Sequence, residues 1–217
     1  MATYRLLIVV VMLSQSVVSC NGNHVNSTQA LKPYQSVITD TTSSTILTIT
    51  KVKKPWYAWR SLIIGKMEES IPEYKAIKGL NQKLYSFTEN HKQFGGIYLW
   101  KTEKDAKTWF NQAWYDRTEK KYGKKGIVDF YIVLDIRSFA EFPSQNGNYW
   151  CVMTPSENQI NFSTAKGIIK SMKLKKDSGT TFYLTIWVDK LSAMKFFKNK
   201  NFVNEFFDTP IMIQNQQ

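Results

Sequence analysis

Cysteine and histidine are scarce in this chain of 217 residues, which contains two of each. The cysteines are Cys20 and Cys151, and the histidines are His24 and His91. Their spacing matches no zinc or iron site, so we expect no metal. The sequence also lacks a legible pairing of nucleophile and base and a glycine-rich phosphate-binding loop. We therefore expect no cofactor, and the catalytic residues, if the protein has any, are unknown at this stage.

Acidic residues are also few, since 17 Asp and Glu stand against 29 Lys and Arg, for a formal net charge of +12. Such a charge suits an anionic partner, either a nucleic acid or a membrane surface. The chain has no zinc-finger spacing, RNP-type motif or recognition-helix pattern. We therefore expect no nucleic-acid partner and interpret the basic side chains as a solvated surface. Hydrophobic residues make up 43% of the chain, which is enough for a packed core.

The apolar run near the N-terminus, residues 6–13, is too short to cross a bilayer as a helix. Arg5 precedes this run and Val-Val-Ser-Cys at 17–20 follows it, which is the pattern of an export signal. The last four residues resemble a bacterial lipobox, which implies that residues 1–19 are a signal peptide and that Cys20 is lipidated. We therefore expect an exported lipoprotein, anchored in the membrane of the bacterial cell envelope. Cleavage by an ordinary signal peptidase, giving a periplasmic or secreted soluble protein, is the alternative.

Residues 20–50 are rich in Asn, Ser, Thr and Gln, which predicts a flexible tether after Cys20. The threonine-rich end of this segment contains Ile46, Leu47 and Ile49, whose chemistry is also compatible with a strand. A lipidated Cys20 leaves Cys151 without a partner for an intrachain disulfide, so we interpret Cys151 as an inert core thiol.

Residues 51–140 predict one folded unit in which strands and helices alternate. Apolar and aromatic runs of strand length, one helix with proline in its first turn and one helix with a capping-box start carry this prediction. The predicted elements are strand 56–64, helix 71–80, strand 83–89, strand 95–100, helix 103–122 and strand 126–135. The order βαββαβ is that of a ferredoxin-like α+β unit.

Two adjacent glycines, Gly95 and Gly96, stand directly before the large apolar side chains of the third predicted strand. Because side chains alternate along a strand, Gly96, Tyr98 and Trp100 share one face. A glycine at this place leaves room beside two large rings. Either a facing sheet or a flat apolar ligand is expected to fill that room.

The same region carries a family resemblance. Ser-Phe-Thr-Glu-Asn at 86–90, Gly-Gly-Ile-Tyr-Leu-Trp at 95–100 and the helix start at 102–106 resemble the YdhR-type mono-oxygenases of the dimeric α+β barrel superfamily. The resemblance covers residues 56–137. The chain departs from the family pattern in having Phe87 and Trp100 where Trp and Phe are commoner, and in its additional N-terminal and C-terminal segments.

The resemblance implies a cofactor-independent mono-oxygenase-like protein that handles a small aromatic or apolar compound. Haem-opening members of the superfamily carry a helix histidine, and the predicted helix 103–122 contains none, so haem degradation is disfavoured. The alternative function is a non-catalytic envelope lipoprotein that binds an apolar ligand or a protein partner. A third interpretation is a barrel filled by its own side chains, with a surface used for docking.

The C-terminal residues 141–217 repeat features of the first unit. An offset of 87 places Trp100 on Trp187 and Ala106 on Ala193. The elements predicted there are strand 149–153, strand 180–188, helix 191–197 and strand 210–213. Superfamily barrels pair two such sheets, normally from two chains. We therefore expect a duplicated, pseudo-dimeric α+β barrel whose second half is degenerate, present as a monomer or as a homodimer.

The predicted pocket lies between the two sheets and is lined by aromatic side chains. Tyr98 is expected to donate a hydrogen bond to a ligand oxygen, and tryptophan rings are expected to stack on a planar ligand. The candidate ligand-binding residues are Trp59, Arg60, Phe87, Tyr98, Trp100 and Trp187. A place in the packed core is the alternative for each of them. Glu89 and Asp135, at predicted strand ends, are interpreted as solvated carboxylates.

Overall fold

The computed structural model describes residues 44–144, 147–156, 160–198, 200 and 203–215. The predicted signal peptide, Cys20 and residues 21–43 of the predicted tether lie outside the described residues. Within them the elements, in chain order, are β1 Ile46–Lys53, α1 Arg60–Glu69, α2 Ile71–Lys75, β2 Leu80–Thr88, β3 Gln93–Trp100, α3 Glu103–Trp109, α4 Gln112–Tyr122, β4 Ile127–Ser138, β5 Tyr149–Pro155, β6 Ile168–Lys175, β7 Thr181–Trp187, α5 Lys190–Phe197 and β8 Glu205–Gln214. None of the helices described here is long and apolar enough to span a membrane.

The strands close into one antiparallel barrel in the order β1-β3-β2-β8-β5-β7-β6-β4. The first four strands of the chain lie in the order β4-β1-β3-β2, and the last four lie in the corresponding order β8-β5-β7-β6. The pairs β2–β8 and β4–β6 join these two groups, so that no edge of the sheet is left free. The predicted α+β class is confirmed, and the first half of the chain has the predicted order βαββαβ.

The first strand of that order is β1, and the predicted strand at 56–64 is wrong. Residues 60–69 form α1 instead, because Ile63 and Met67, four residues apart, bury one helical face against the barrel. The tether prediction is wrong for residues 46–50, which belong to β1. In that strand Leu47 and Ile49 face the barrel interior, while side chains on the other face lie under the helices.

Both predicted helices of the first half differ from the structure. The predicted helix 71–80 ends at Lys75, and Gly79, with φ 80°, turns the chain into β2. The predicted helix 103–122 is divided into α3 and α4 because Asn111 caps the second segment, accepting a hydrogen bond from the Trp114 N–H at 3.2 Å. The predicted cap of α3 is confirmed, since Thr102 Oγ1 accepts from the Asp105 N–H at 3.1 Å.

In the second half the structure has strands and a helix where they are predicted, as β5, β7, α5 and β8. It adds β6, which pairs with β4 and β7. The described residues between β5 and β6, namely 156 and 160–167, contain no helix. The two halves therefore share their strand order and differ in what covers the sheet.

Apolar side chains fill the barrel interior. All eight strands contribute to this cluster, whose buried members are Leu47, Ile49, Leu84, Ile97, Tyr131, Tyr149, Cys151, Met153, Ile169, Met172, Leu174, Leu184, Ile186, Phe207 and Met212. Separate clusters lie on the outer faces of the strands, under the helices. Because side chains alternate between the two faces of a strand, the residue between two interior positions points to the outer face. The candidate site is built on the outer face that the helices of the first half cover.

Candidate functional site

A cavity of about 430 Å³ lies between the outer face of β1, β2 and β3 and the helices α1, α2 and α4. This volume is within the usual range for small-molecule sites, roughly 300–1,000 Å³. We call it the tyrosine cavity, because Tyr74, Tyr85 and Tyr98 line it together with Lys83. The strand positions Tyr85, Tyr98 and Lys83 are buried. The exposed residues Glu73 and Arg117 also line it and put charge of both signs at its rim.

The register between β2 and β3 places the buried side chains of the tyrosine cavity together. Lys83 lies opposite Tyr98, and Tyr85 lies opposite Gly96. A Cβ atom on Gly96 would lie 2.9 Å from Tyr98 Cε2 and 3.1 Å from Lys83 Cε. Gly96 therefore makes room for the tyrosine ring and the lysine stem. Gly95 instead allows a close approach to the backbone of β1, since a Cβ there would overlap the Thr50 carbonyl.

Lys83 is the unusual member of the tyrosine cavity, because its side chain is buried without a carboxylate partner. The residue is 1% exposed. Its Nζ lies 2.9 Å from the ring centroid of Tyr74, 3.6 Å from that of Tyr85 and 4.9 Å from that of Tyr98. Among the described residues it has no hydrogen-bond or ion-pair partner. Aromatic ring faces thus surround the amino group.

Burial sets the protonation of these groups. Loss of solvent lowers the pKa of Lys83 well below its ordinary value, and Glu73 opposes this shift more weakly. Burial also raises the pKa of Tyr74, of Tyr85 and of Tyr98. The tyrosines therefore stay protonated and supply no negative charge to the lysine. The Tyr85 hydroxyl lies 2.8 Å from Ser70 Oγ, which donates in turn to the Met67 carbonyl, so this tyrosine is held by the α1–α2 junction.

Of the six predicted ligand-binding residues, Tyr98 is the one that lines the tyrosine cavity. Trp100 is 0% exposed and lies beneath the helices, with its ring stacked on that of Tyr98 at 5.9 Å between centroids. Its Nε1 donates to Thr48 Oγ1 at 2.9 Å. Phe87 is buried in a neighbouring cluster, where the Arg60 guanidinium lies 5.3 Å from its ring centroid.

The remaining predicted residues are placed elsewhere. Arg60 bonds the Asp208 carboxylate at 2.7 Å, and Trp59, 77% exposed, precedes α1 at the surface. Trp187 lies in the second half, packed on Phe196 and on Phe197 of α5. The predicted pocket between the two sheets, closed by rings near 59, 98 and 187, is therefore wrong. Strand alternation places Tyr98, Trp100 and Trp187 on outer faces, while apolar side chains occupy the space between the sheets.

Sequence reasoning missed Lys83, Tyr74 and Tyr85. The available signal was the position of Lys83 in the predicted strand, two residues before Tyr85 and so on the same face. A lysine in a strand ordinarily reaches solvent by snorkelling, and that expectation hides a buried one. Tyr74 could not have been assigned to the site from sequence. It lies in α2 and meets Lys83 of β2 only through the tertiary fold.

The other reactive groups are accounted for by packing. Cys151 is buried, and burial raises the pKa of its thiol to about 12, which agrees with its interpretation as a core thiol. Glu89 pairs with Lys190 at 3.4 Å and Asp135 with Arg137 at 2.8 Å, in both cases with substantial exposure. In the part of the chain that the structure describes, no group of three or more His, Cys, Asp or Glu could hold a metal ion.

No family model and no curated protein matches this chain. Among solved structures it is similar to a "putative monooxygenase" from Fusobacterium nucleatum, with a TM-score of 0.58 and 11% identity over 80% of this chain and 95% of that chain. It is also similar to an anthrone oxidase-like protein, with a TM-score of 0.55 and 9% identity over 85% of this chain and 98% of that chain. At these identities the likeness shows the fold alone, an α+β fold built on an antiparallel barrel.

Proposed function

We propose that this protein binds a small, largely apolar aromatic compound in the tyrosine cavity and oxidises it as a mono-oxygenase-like enzyme that needs no bound cofactor. The observation that supports binding is the cavity itself, with buried tyrosine rings on its floor and charged residues at its rim. The support for oxidation is the fold shared with proteins described as a "putative monooxygenase" and as anthrone oxidase-like. Molecular oxygen is the oxidant in this proposal.

The floor of the cavity suits a planar ligand with one oxygen substituent. Aromatic side chains stack on flat apolar molecules or meet them edge-on. The raised pKa of Tyr98 keeps its hydroxyl protonated. The hydroxyl shares hydrogen bonds with Tyr74 and Thr50, and a ligand carbonyl or phenol oxygen can take the place of Tyr74 as its partner. That hydrogen bond becomes stronger if negative charge develops on the ligand oxygen, which happens when an activated C–H group loses its proton.

Anthrone is the test compound, and its conversion to anthraquinone can be followed by absorbance. The full chain is expected to accelerate this conversion, and Tyr98→Phe is expected to lower kcat about tenfold or more by removing the donor to the ligand oxygen. Tyr183→Phe is the matched control, because Tyr183 packs on Phe162 in the second half, outside the tyrosine cavity. This control should keep the wild-type rate.

The outcomes distinguish the mono-oxygenase-like enzyme from the non-catalytic ligand-binding alternative. Saturable binding of anthrone under nitrogen, measured by tryptophan fluorescence, with no acceleration under oxygen, would favour the non-catalytic ligand-binding alternative. Equal rates for wild type and Tyr98→Phe would remove Tyr98 from the proposed role. Absence of both binding and turnover would contradict the proposal as a whole.

We also propose that the chain is an internal pseudo-dimer that arose by duplication, with one functional cavity. Paired glycines support this, since Gly79 and Gly167 both have left-handed backbones, with φ 80° and 83°. Each carbonyl accepts a bond from the residue that follows the last strand tryptophan, namely Lys101 at 2.7 Å and Val188 at 2.9 Å. A Cβ on Gly79 would meet Asp105, and one on Gly167 would meet Ser192, the residue 87 positions after Asp105.

The two halves differ at the position of the buried lysine. Lys83 lies opposite Tyr98 in β3, and the corresponding place in β6 is held by Ser171, opposite Thr185. Two of the helices that cover the tyrosine cavity, α1 and α2, have no counterpart among the described residues between β5 and β6. The proposal therefore expects one ligand per chain in the fluorescence titration, and two equivalent sites would contradict it.

The location of the protein is a proposal that rests on residues 1–20 alone. We propose export and lipidation of Cys20, as the lipobox-like sequence implies. Expression in a bacterium grown with radiolabelled palmitate is expected to label the wild type and to leave Cys20→Ser unlabelled. An unlabelled, secreted wild type would favour the alternative of ordinary signal peptidase cleavage. A labelled Cys20→Ser variant would contradict lipidation at Cys20.

A further inference from the structure

The amino group of Lys83 differs from those of the partly buried lysines among the described residues. Lys170 Nζ has a hydrogen-bond acceptor, Gln82 Oε1, at 3.4 Å. Lys176 pairs with the Asp129 carboxylate at 3.0 Å. Lys83 Nζ is more buried than either and has ring faces around it, with no acceptor among the described residues. Burying a charged group without a carboxylate partner is costly, and a neutral amine avoids that cost.

If Lys83 served only as a cation held by the three tyrosine rings, this role would explain the ring contacts. It would not explain the empty volume beside them. Cation–π contacts are strongest when the ring faces surround the cation and fill the space around it. Here Lys83 and its three tyrosines all line a cavity of about 430 Å³. A neutral lysine amine in an apolar pocket that a small molecule can enter is the arrangement of a nucleophile.

We propose that Lys83 Nζ forms an imine with the carbonyl group of an aromatic aldehyde or ketone bound in the tyrosine cavity. This inference rests on the proposed function, in which the tyrosine cavity is the ligand-binding site, and it adds the chemical class of the ligand. The lone pair of Nζ attacks the carbonyl carbon, and a proton moves from nitrogen to oxygen to give a carbinolamine. Loss of one water molecule then forms the C=N bond, with no oxidant or reductant consumed.

The surroundings of Lys83 favour each part of this step. The Tyr98 hydroxyl stays protonated and can donate to the carbonyl oxygen while the nitrogen attacks. Burial beneath the rings limits the water that would hydrolyse the imine.

Reductive trapping tests the inference directly on the full-length protein. Wild-type protein is incubated with benzaldehyde and sodium cyanoborohydride at neutral pH, and the adducts are mapped by peptide mass spectrometry. The chain has 25 lysines. We expect Lys83 to carry the benzyl adduct at least tenfold faster than any other lysine. Competition by benzyl alcohol, which cannot condense, is expected to slow labelling of Lys83 and to leave surface lysines unaffected.

Two variants and a separate binding measurement decide between the outcomes. Lys83→Met should lose the fast adduct and keep slow surface labelling. Lys170→Met, which removes a half-buried lysine outside the cavity, should keep the fast adduct on Lys83. Wild type that binds benzyl alcohol in the cavity, seen by tryptophan fluorescence, but labels Lys83 no faster than surface lysines would overturn the imine and leave the proposed function standing. Failure of benzyl alcohol and anthrone alike to bind would overturn both.

Discussion

Replacing Trp100 by alanine is expected to lower the free energy of unfolding by about 3–5 kcal/mol, which is the usual cost of removing a fully buried indole. The side chain is 0% exposed and packs against Tyr98 at 5.9 Å and Phe110 at 5.7 Å between ring centroids. Its loss would leave a void under α3 and would remove the hydrogen bond from Nε1 to Thr48 Oγ1. The second cost adds to the first, because the buried hydroxyl loses its donor.

Trp187→Ala is the matched variant for this prediction. Trp187 is also 0% exposed, and its Nε1 donates to Thr185 Oγ1 at 2.8 Å beneath α5. Urea unfolding followed by circular dichroism should give similar losses for the two variants. A loss of less than about 2 kcal/mol for Trp100→Ala, with a full loss for Trp187→Ala, would contradict the packing role and return Trp100 to the set of ligand-binding candidates.

In the second half, local sequence signals predicted β7 and α5, whereas β6 was not predicted. The run before α5 is apolar and β-branched, a turn with Gly179 precedes it, and Asp189 caps the helix that follows. The local propensities, the turn residue and the helix cap all favour the structure that the tertiary fold requires there, so the prediction and the structure coincide. Around β3 the same agreement holds, which is why Gly96 and Tyr98 were correctly placed on one face.

The start of the domain could not be read in this way. Residues 56–64 are apolar on successive positions, and such a short run fits a covered strand and a helix equally well. Tertiary contacts favour the helix over the strand. In the helix Ile63 and Met67 pack against the barrel, while Trp59 remains exposed to solvent. In the same way the threonine-rich sequence of β1 resembles a polar linker, but its outer face lies under the helices, where Thr48 is 0% exposed.

The candidate site was half predictable for a related reason. Sequence shows which side chains share a face of a strand, but not whether that face meets the other sheet or a helix. Tyr98 was correctly placed on one face with Trp100, which stacks on it, but Trp187 was wrongly proposed as a further partner across the sheets. Its actual neighbours in the cavity come from β2 and α2, and the pairing of β2 with β3 is what brings Lys83 to it.

Replacing Lys83 by methionine is expected to raise the free energy of unfolding near neutral pH, with a gain that shrinks as the pH rises toward 10.5, the ordinary pKa of lysine. Burial lowers the folded-state pKa of Lys83, so between that pKa and 10.5 the unfolded wild type holds one more proton than the folded protein. Wild-type stability must then increase with pH, by about 1.4 kcal/mol per pH unit for one proton. Methionine has no proton to bind and lacks this slope.

Urea unfolding of both proteins at intervals between pH 6 and pH 10 measures this difference. Glu73, whose charge faces Lys83 and acts against the shift, is present in both proteins, as are Tyr74, Tyr85 and Tyr98, whose raised pKa values act above pH 10. Lys75→Met, at an exposed position of α2, is the control and should run parallel to wild type at every pH. If the difference between wild type and Lys83→Met is constant with pH, the three rings hold an ammonium ion rather than an amine. The nucleophile required for the imine would then be absent at neutral pH, so this titration and the trapping experiment must agree.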